Sequence, residues 1–236
     1  MSLFTAGIDA RAALINIEGA ISSRRFLQST VTWYARQRLP QFLAQHAGAP
    51  ALDYAVARAR EHACAAEPLA AVLLRWMDEG RELAPLQEIQ GFIWDEACSD
   101  GTLQGHIFPD ALGALRRWRA AGVQRYAFAS GSAHWQAQFL RHCPEGDLSG
   151  LFGRYFDLAV GPKTSATSYR AIAAALHLRP REICFFSDIP RELLAAQSAG
   201  LSAVQVIRES HVPDERFPQI RSFDEVASLP IRYAAE

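Results

Sequence analysis

The sequence predicts an α/β fold: a parallel sheet with helices on both faces and an all-helical segment inserted after the first strand. From residue 109 onward, short apolar runs alternate with segments of helical periodicity, a pattern typical of parallel sheets covered by helices. Between residues 24 and 111, by contrast, apolar residues recur at helical spacing and almost no run resembles a strand. We therefore expect an α/β core domain of residues 10–23 and 112–236, and a helical cap domain of residues 24–111.

The composition is that of an ordinary globular chain and disfavours several functional classes. Of the 236 residues, 50% are hydrophobic and 21% are charged, and the formal net charge is −1. This charge, without any long basic stripe, gives no indication of a nucleic-acid partner. No apolar run approaches the roughly 18 residues of a membrane span, and no signal peptide is recognisable. The four cysteines form no close pair, which favours a cytoplasmic protein over a disulfide framework or a zinc site.

The individual elements follow from the order of apolar runs, prolines and glycines. After the first strand we expect strands at residues 123–129, 155–160, 183–186 and 203–207 and, between or before them, helices at 109–122, 135–142, 165–176 and 190–199. In the inserted segment we expect helices at 55–66, 68–80 and 85–97, with a break in the helical pattern at residues 38–40. Residues 208–221 are polar and contain prolines, so we expect a surface excursion there.

The first strand ends in a polar pair followed by a glycine. Asn16 and Glu18 are two residues apart, so on a strand both side chains project to the same side. Gly19 follows directly, and glycine allows a sharp turn and a close approach to a ligand. This arrangement is compatible with a phosphate and metal site, although for these residues on their own a strand that simply ends in a turn is the favoured explanation.

Polar residues also follow the later strands: Ser130 after the second, Lys163 after the third and Asp188 after the fourth. Ligands of open parallel sheets bind outside the carboxyl ends of the strands, so we expect these side chains to meet Asn16 and Glu18. Carboxylates are preferred Mg²⁺ ligands, whereas a lysine and a serine suit a phosphate. Each residue alone has another explanation, since Ser130 and Asp188 could cap helices and Lys163 could be a solvated surface side chain.

Short motifs spread over nearly the whole chain carry a family resemblance. They are Tyr34-Ala35-Arg36, Arg38-Leu39-Pro40, Leu86-Gln87, Gln90-Gly91, Ile93-Trp94, Gly105-His106, Pro109-Asp110, Ser130-Gly131-Ser132, Gly161-Pro162-Lys163, Ser168-Tyr169 and Ser187-Asp188 with Glu192. With these motifs the chain resembles the haloacid dehalogenase (HAD) superfamily of phosphohydrolases and, within it, the enolase-phosphatases (acireductone synthases) of methionine salvage. The resemblance implies a HAD-like Rossmannoid sheet with a cap domain. It also implies conversion of 2,3-diketo-5-methylthiopentyl-1-phosphate to an acireductone.

The first motif departs from the family pattern. The family sequence Asp-Ile-Glu-Gly-Thr-Thr corresponds to residues 16–21, which read Asn-Ile-Glu-Gly-Ala-Ile. The resemblance therefore implies that Asn16 stands where the family has its nucleophilic aspartate. A neutral amide oxygen is a far weaker nucleophile than a carboxylate, and the lost negative charge should weaken Mg²⁺ binding. We expect impaired phosphate release, which Asn16→Asp should restore in part.

The resemblance also assigns roles to the candidate site residues. It implies catalytic positions at Asn16 and Glu18, substrate or phosphate binding by Ser130, Gly131 and Lys163, and metal binding by Asn16, Glu18 and Asp188. Mg²⁺ is the implied cofactor, and we expect it to bind weakly or not at all. In the family the glutamate can act through its backbone carbonyl, which makes the Glu18 side chain the weaker candidate ligand.

Two functional hypotheses remain open at this point. The first is an enzyme of the enolase-phosphatase type that acts on a small phosphorylated metabolite as a monomer, without a nucleic-acid or membrane partner. The second is a non-catalytic HAD-fold protein that binds a phosphorylated ligand or regulates a partner. Glu18, Lys163 and Asp188 favour the enzyme, whereas Asn16 and the loss of motif hydroxyls at residues 20 and 129 favour the binding protein.

Overall fold

The structure, a computed structural model, describes residues 10–64, 66–81, 83–208 and 212–226. Within these residues, six strands form one sheet whose neighbours are all parallel. The strands are β1 (Ala12–Ile15), β2 (Gln124–Phe128), β3 (Arg154–Phe156), β4 (Ile183–Ser187), β5 (Ser202–Val206) and β6 (Gln219–Ile220). Their order is β3-β2-β1-β4-β5-β6, so the winding direction of the sheet reverses at β1. The predicted parallel α/β sheet is confirmed.

Helices cover both faces of this sheet, and further helices form the segment between β1 and residue 99. They are α1 (Arg24–Phe26), α2 (Trp33–Gln45), α3 (Pro50–Arg60), α4 (Leu69–Asp78), α5 (Ala84–Ser99), α6 (Pro109–Ala120), α7 (Ala133–Arg141), α8 (Ala166–Ala175) and α9 (Pro190–Ser198). Successive residues of β1 face opposite sides: Ala13 and Ile15 pack with α6 and α7, and Ala12 and Leu14 pack with α8 and α9. The sheet is therefore buried on both faces, which explains why its strands are continuous apolar runs.

The helical segment between β1 and α6 has a hydrophobic cluster of its own. Buried side chains from α2, α3, α4 and α5 pack together, including Leu39, Trp76 and Ile89. A π-helical segment, Leu27–Thr32, joins α1 to α2, so one helical stretch runs from residue 24 to residue 45. The helical character of this segment matches the prediction, and the division at residues 24 and 111 remains a prediction.

The structure corrects several predicted elements. Helix α2 continues through the predicted break at residues 38–40 with Pro40 inside it. The neighbouring Leu39 and Phe42 are buried among the other helices, and this packing outweighs the loss of one backbone hydrogen bond. Helix α3 begins and ends earlier than predicted, since Pro50 occupies its first turn, a favourable place for proline.

The predicted strand at residues 155–160 ends at Phe156. The side chain of Asp157 accepts hydrogen bonds from the backbone N–H groups of Ala159 (2.9 Å) and Ala133 (2.8 Å), and the chain turns into a 3₁₀ helix at Leu158–Val160. The short strand β6 lies in the predicted surface excursion, where two residues are too few to give a readable pattern. Among the described residues, the structure has no helix long and apolar enough to cross a lipid bilayer.

Candidate functional site

The strand order brings three of the predicted site residues to one edge of the sheet. Strand β1 lies between β2 and β4, with Ile15 beside Ala127 and Phe186. Asn16 therefore follows the central strand, Ser130 follows its neighbour on one side, and Asp188 follows its neighbour on the other. The winding reversal at β1 is the position where open α/β sheets form their ligand crevice.

Asn16 is buried, with 1% of its surface exposed, and its amide has a partner on each side. Lys163 Nζ donates to Asn16 Oδ1 at 2.8 Å. Asn16 Nδ2 donates to the backbone oxygen of Glu18 at 2.7 Å and faces Asp188 Oδ1 at 3.4 Å. Because an ammonium only donates and a carbonyl only accepts, these partners fix the orientation of the amide. Its N–H group points to the oxygens of residues 18 and 188.

Lys163 is almost fully buried and belongs to a polar network. Its Nζ lies 3.1 Å from Glu192 Oε2, and Ser187 Oγ donates to the same glutamate oxygen at 2.8 Å. The buried Tyr169 hydroxyl donates to the backbone oxygen of Lys163 at 2.7 Å, which fixes the loop that carries the lysine. With 6% of its surface exposed, Lys163 is not the solvated surface lysine of the alternative explanation.

Asp188 is fully buried and is paired with Arg24, the first residue of α1. Arg24 Nη2 lies 2.9 Å from Asp188 Oδ2 and 3.2 Å from Oδ1, and Nε lies 3.2 Å from Oδ2. The same Nη2 is 3.4 Å from the backbone oxygen of Glu18. Burial alone would lower the pKa of Arg24, but the charge and hydrogen bonds of Asp188 outweigh burial and raise this pKa above its ordinary value. The guanidinium is therefore permanently charged.

Two glycines allow the chain to pass close to these groups. Gly19 has φ +79°, and a Cβ there would lie 2.0 Å from Asp188 Oδ2. A Cβ at Gly131 would lie 2.4 Å from Trp135 Cε3, while the backbone oxygen of Gly131 accepts a 2.7 Å hydrogen bond from the buried Gln136 amide. Any larger residue at either position would displace its neighbour.

The capping explanations for Ser130 and Asp188 do not match the structure. Helix α7 is capped by Ser132, whose Oγ accepts from the backbone N–H of Trp135 at 3.1 Å. Helix α9 begins after Ile189, which provides no side-chain cap. Ser130 and Asp188 therefore lie at the strand ends for reasons other than helix capping.

A cavity of about 280 Å³ opens between the strand ends and the helical segment. Glu18, Arg24 and Ser130 form its wall on the sheet side. Its remaining walls come largely from the segment that precedes α6, through Leu27, Gln28, Val31, Thr32, Ala35, Met77, Gly80, Arg81, Leu86, Gln87 and Gln90, with Trp135 from α7. This volume is slightly below that of common ligand pockets and suits a small metabolite.

The donors around Asn16 and Asp188 do not fit a divalent cation. Both oxygens of Asp188 face Arg24 N–H groups, and the backbone oxygen of Glu18 faces N–H groups of Asn16 and Arg24. Mg²⁺ requires lone pairs of such oxygens at about 2.0–2.1 Å, and here those lone pairs are directed at N–H groups. In the described part of the chain, no group of three or more His, Cys, Asp or Glu side chains could hold a metal ion.

The structure thus brings together most of the predicted site residues and adds two that the sequence analysis did not assign. Asn16, Lys163 and Asp188 form one connected network, whereas Ser130 and the partly exposed Glu18 side chain line the cavity. The additions are Arg24 and Glu192. Glu192 is part of a family motif, and its position one helical turn after Asp188 is a sequence signal of proximity.

The relatives found by comparison with known proteins agree with one another. Residues 16–200 match the haloacid dehalogenase-like hydrolase family. Enolase-phosphatase E1 of Bradyrhizobium is 41% identical over 93% of this chain and 95% of its own length, and that of Sorangium cellulosum is 42% identical over 94% and 99%. The crystal structure of the UTR4 protein of Saccharomyces cerevisiae superposes with a TM-score of 0.75 at 24% identity, covering 91% of this chain and 99% of that one, which supports the fold. The chain belongs to the enolase-phosphatase E1 family of haloacid dehalogenase-like hydrolases.

Proposed function

We propose that this protein is an enolase-phosphatase-type hydrolase of methionine salvage with an impaired phosphatase step. Its substrate is 2,3-diketo-5-methylthiopentyl-1-phosphate, and its product class is the acireductone. The family relationship at about 40% identity supports the substrate class. The buried amide of Asn16 at the end of the central strand is the observation that carries the impairment.

In this proposal Asn16 stands at the position of the family's phosphoryl acceptor. Transfer to a protein side chain needs an anionic oxygen in line with phosphorus. Asn16 Oδ1 is neutral and already accepts a hydrogen bond from Lys163, so it is a poor nucleophile. The nearby Glu18 carboxylate lines the cavity and is suited to accept a proton from a carbon next to a carbonyl.

Ser130, Gly131 and Lys163 form the proposed phosphate subsite. Ser130 lines the cavity and provides a hydroxyl group as a hydrogen-bond donor. The close packing of Gly131 against Trp135 keeps the turn after β2 compact. Lys163 supplies a positive charge that Glu192 holds in place. A phosphate bound here would lie beside the strand ends, where oriented hydrogen-bond donors contribute most to binding an anion.

We assign no step to magnesium. The predicted ligands Asn16, Glu18 and Asp188 present oxygens that already face N–H groups. The sequence-based expectation of weak or absent Mg²⁺ binding remains a prediction, and a titration can test it.

We further propose that the protein acts as a cytoplasmic monomer on this small metabolite, without a nucleic-acid or membrane partner. The net charge of −1 supports the proposal that the protein does not bind nucleic acid. Analytical ultracentrifugation would show a single species with a mass near 26.1 kDa, and a stable dimer would contradict the monomer.

A second candidate is a non-catalytic protein that binds the same phosphorylated ligand. The pairing of Asp188 with Arg24 favours it, since an ion pair occupies the corner of the site where the reaction requires chemistry. Under this candidate the ligand binds, but neither the enol nor free phosphate forms.

The test compares this protein with Asn16→Asp and Asn16→Ala on the diketone phosphate, following phosphate release and enol absorbance separately. We expect slow growth of enol absorbance with little phosphate release from the unmodified protein. Asn16→Asp should increase phosphate release, and Asn16→Ala should not. Rapid phosphate release by the unmodified chain, with an intact amide at Asn16 by mass spectrometry, would contradict the proposal. Ligand binding with neither product would favour the second candidate.

A further inference from the structure

Arg24 places a positive charge at the centre of the strand ends. Its guanidinium contacts both oxygens of the fully buried Asp188 and the backbone oxygen of Glu18. Ser23 caps the short helix α1 by accepting a hydrogen bond from the backbone N–H of Phe26 at 3.0 Å, which fixes where Arg24 leaves the backbone. Contacts at both ends of the Arg24 side chain therefore fix the position of the guanidinium.

The oxygens that Arg24 contacts are those expected to bind a metal. Asp188 Oδ1 and the backbone oxygen of Glu18 each also face Asn16 Nδ2, at 3.4 Å and 2.7 Å. The amide at residue 16 thus directs a donor into the same corner, where a carboxylate would direct a negative oxygen. Asn16 and Arg24 are complementary: one removes a negative charge from this corner, and the other supplies a fixed positive charge.

Arg24 also retains access to the cavity. Its side chain is 28% exposed and forms part of the cavity wall together with Ser130. A guanidinium carries five N–H donors, and Nε and Nη2 are the ones directed at Asp188. Nη1 lies 4.0 Å from Glu18 Oε2, beyond hydrogen-bond distance, so donors of the Nη1 group can serve a ligand in the cavity.

We propose that Arg24 takes the place of a divalent cation in this site, so that the cavity binds the phosphate group of a small monoester without metal. The proposal rests on the proposed function for the identity of the phosphate subsite. Guanidinium groups bind phosphate and carboxylate oxygens through paired, charge-assisted hydrogen bonds. Arg24 can therefore bridge Asp188 and a phosphate as a metal ion would, without requiring a ligand set of anionic oxygens.

The charges around the phosphate subsite agree with this role. Arg24 faces Asp188, and Lys163 faces Glu192, with charged atoms 2.9 Å and 3.1 Å apart. Two cations are thus held at fixed positions near the strand ends, each beside a carboxylate, and the Glu18 carboxylate lies 4.0 Å from Arg24 Nη1. A phosphate is therefore held here through directed N–H donors and not through a net positive charge.

The experiment is a titration of the protein with inorganic phosphate by isothermal titration calorimetry, in excess EDTA and in excess Mg²⁺. We expect the same phosphate affinity in both buffers. Arg24→Ala should weaken phosphate binding in EDTA by about tenfold or more, the loss expected for one charge-assisted contact. Arg25→Ala removes the same charge from the exposed neighbouring position and should leave phosphate affinity unchanged.

Because Arg24→Ala removes the cation that neutralises the buried Asp188 carboxylate, the double variant Arg24→Ala with Asp188→Asn serves as a second test. It removes both charges together and should also lose phosphate binding, with circular dichroism confirming the fold. Unchanged phosphate binding by either variant in EDTA would overturn the proposal. Phosphate binding to the unmodified protein only in Mg²⁺ would overturn the role of Arg24 while leaving the proposed phosphate subsite intact. Absence of phosphate binding in both buffers would overturn this inference and the subsite.

Discussion

Replacing Asn16 by aspartate introduces a negative charge at a buried position and should destabilise the protein when no metal is present. Asn16 Nδ2 donates at 2.7 Å to the backbone oxygen of Glu18 and faces Asp188 Oδ1 at 3.4 Å. In Asn16→Asp, an oxygen takes the place of this donor. Two favourable contacts then become oxygen–oxygen contacts, one of them between two carboxylates.

The magnitude follows from these distances. Two like charges 3.4 Å apart repel by about 5 kcal/mol at an effective dielectric constant of about 20, and the Lys163 ammonium at 2.8 Å returns about 6 kcal/mol. These two contributions nearly cancel, so the lost hydrogen bonds decide the outcome, at roughly 1 kcal/mol each. We expect Asn16→Asp to lower the free energy of unfolding by about 2 kcal/mol, a fall in Tm of roughly 4–8 °C for a chain of this size.

The assay is thermal unfolding followed by circular dichroism in EDTA and in Mg²⁺. The new carboxylate supplies a further anionic oxygen, so Mg²⁺ should raise the Tm of Asn16→Asp more than that of the unmodified protein. Asn16→Ala is the matched control: it loses the same hydrogen bonds without gaining charge, and its Tm should not respond to Mg²⁺. An Asn16→Asp protein as stable as the unmodified one in EDTA would refute the assignment of Nδ2 to this corner.

Three further predictions concern stability. Lys163→Met leaves the buried carboxylate of Glu192 without its ammonium and should cost about 3–5 kcal/mol in chemical denaturation; adding Glu192→Gln should recover most of the loss, and no recovery would contradict the pairing. Gly19→Ala places a Cβ 2.0 Å from a carboxylate oxygen at φ +79° and should cost more than Gly48→Ala, which shares the strained φ (+91°) but meets no atom within 4 Å; equal losses in Tm would refute the clash. Hydrogen bonds from Arg179 lower the pKa of Glu182 from 4.5 to about 2. The stabilisation that the Glu182 carboxylate contributes to the fold, about 1 kcal/mol after solvent screening, is therefore present above pH 4.5 and is lost as the pH falls towards 2. Glu182→Gln should flatten this part of the pH–stability curve, and an unchanged curve would contradict the shift.

The sheet was largely predictable because its strands are buried on both faces. Strand β4, for example, is buried at every position from Ile183 to Ser187, and its continuous apolar run leaves little choice of element. Helix α2 was not predictable at Pro40, because the packing of Leu39 and Phe42 against helices distant in sequence decides whether the helix continues. Strand β6 exists through its pairing with β5 and has no pattern of its own.

The candidate site was predictable where chemistry coincides with a strand end. Asn16 directly follows β1 and Asp188 directly follows β4, and the parallel sheet brings such ends together. Arg24 was not found, since its neighbours in sequence are a cap and an exposed arginine, and only the turn after Gly19 carries its side chain back to Asp188. The hydrogen bonds that the backbone oxygen of Glu18 accepts were likewise not predictable, because every residue has such an oxygen whatever its side chain.

The π-helical segment Leu27–Thr32 gives the Arg24 ion pair a mechanical significance. Arg24 and the buried Leu39 lie on one helical stretch, anchored at one end to Asp188 and at the other to the helical cluster. The wider turns between these anchors are a form of helix often found at functional sites, and Leu27, on the first of them, also lines the cavity. Leu27 and Val31 of this stretch are also buried in the core that packs on the sheet, so the Arg24–Asp188 ion pair holds the stretch to the sheet together with these apolar contacts. A ligand that moved the helices away from the sheet would have to strain both.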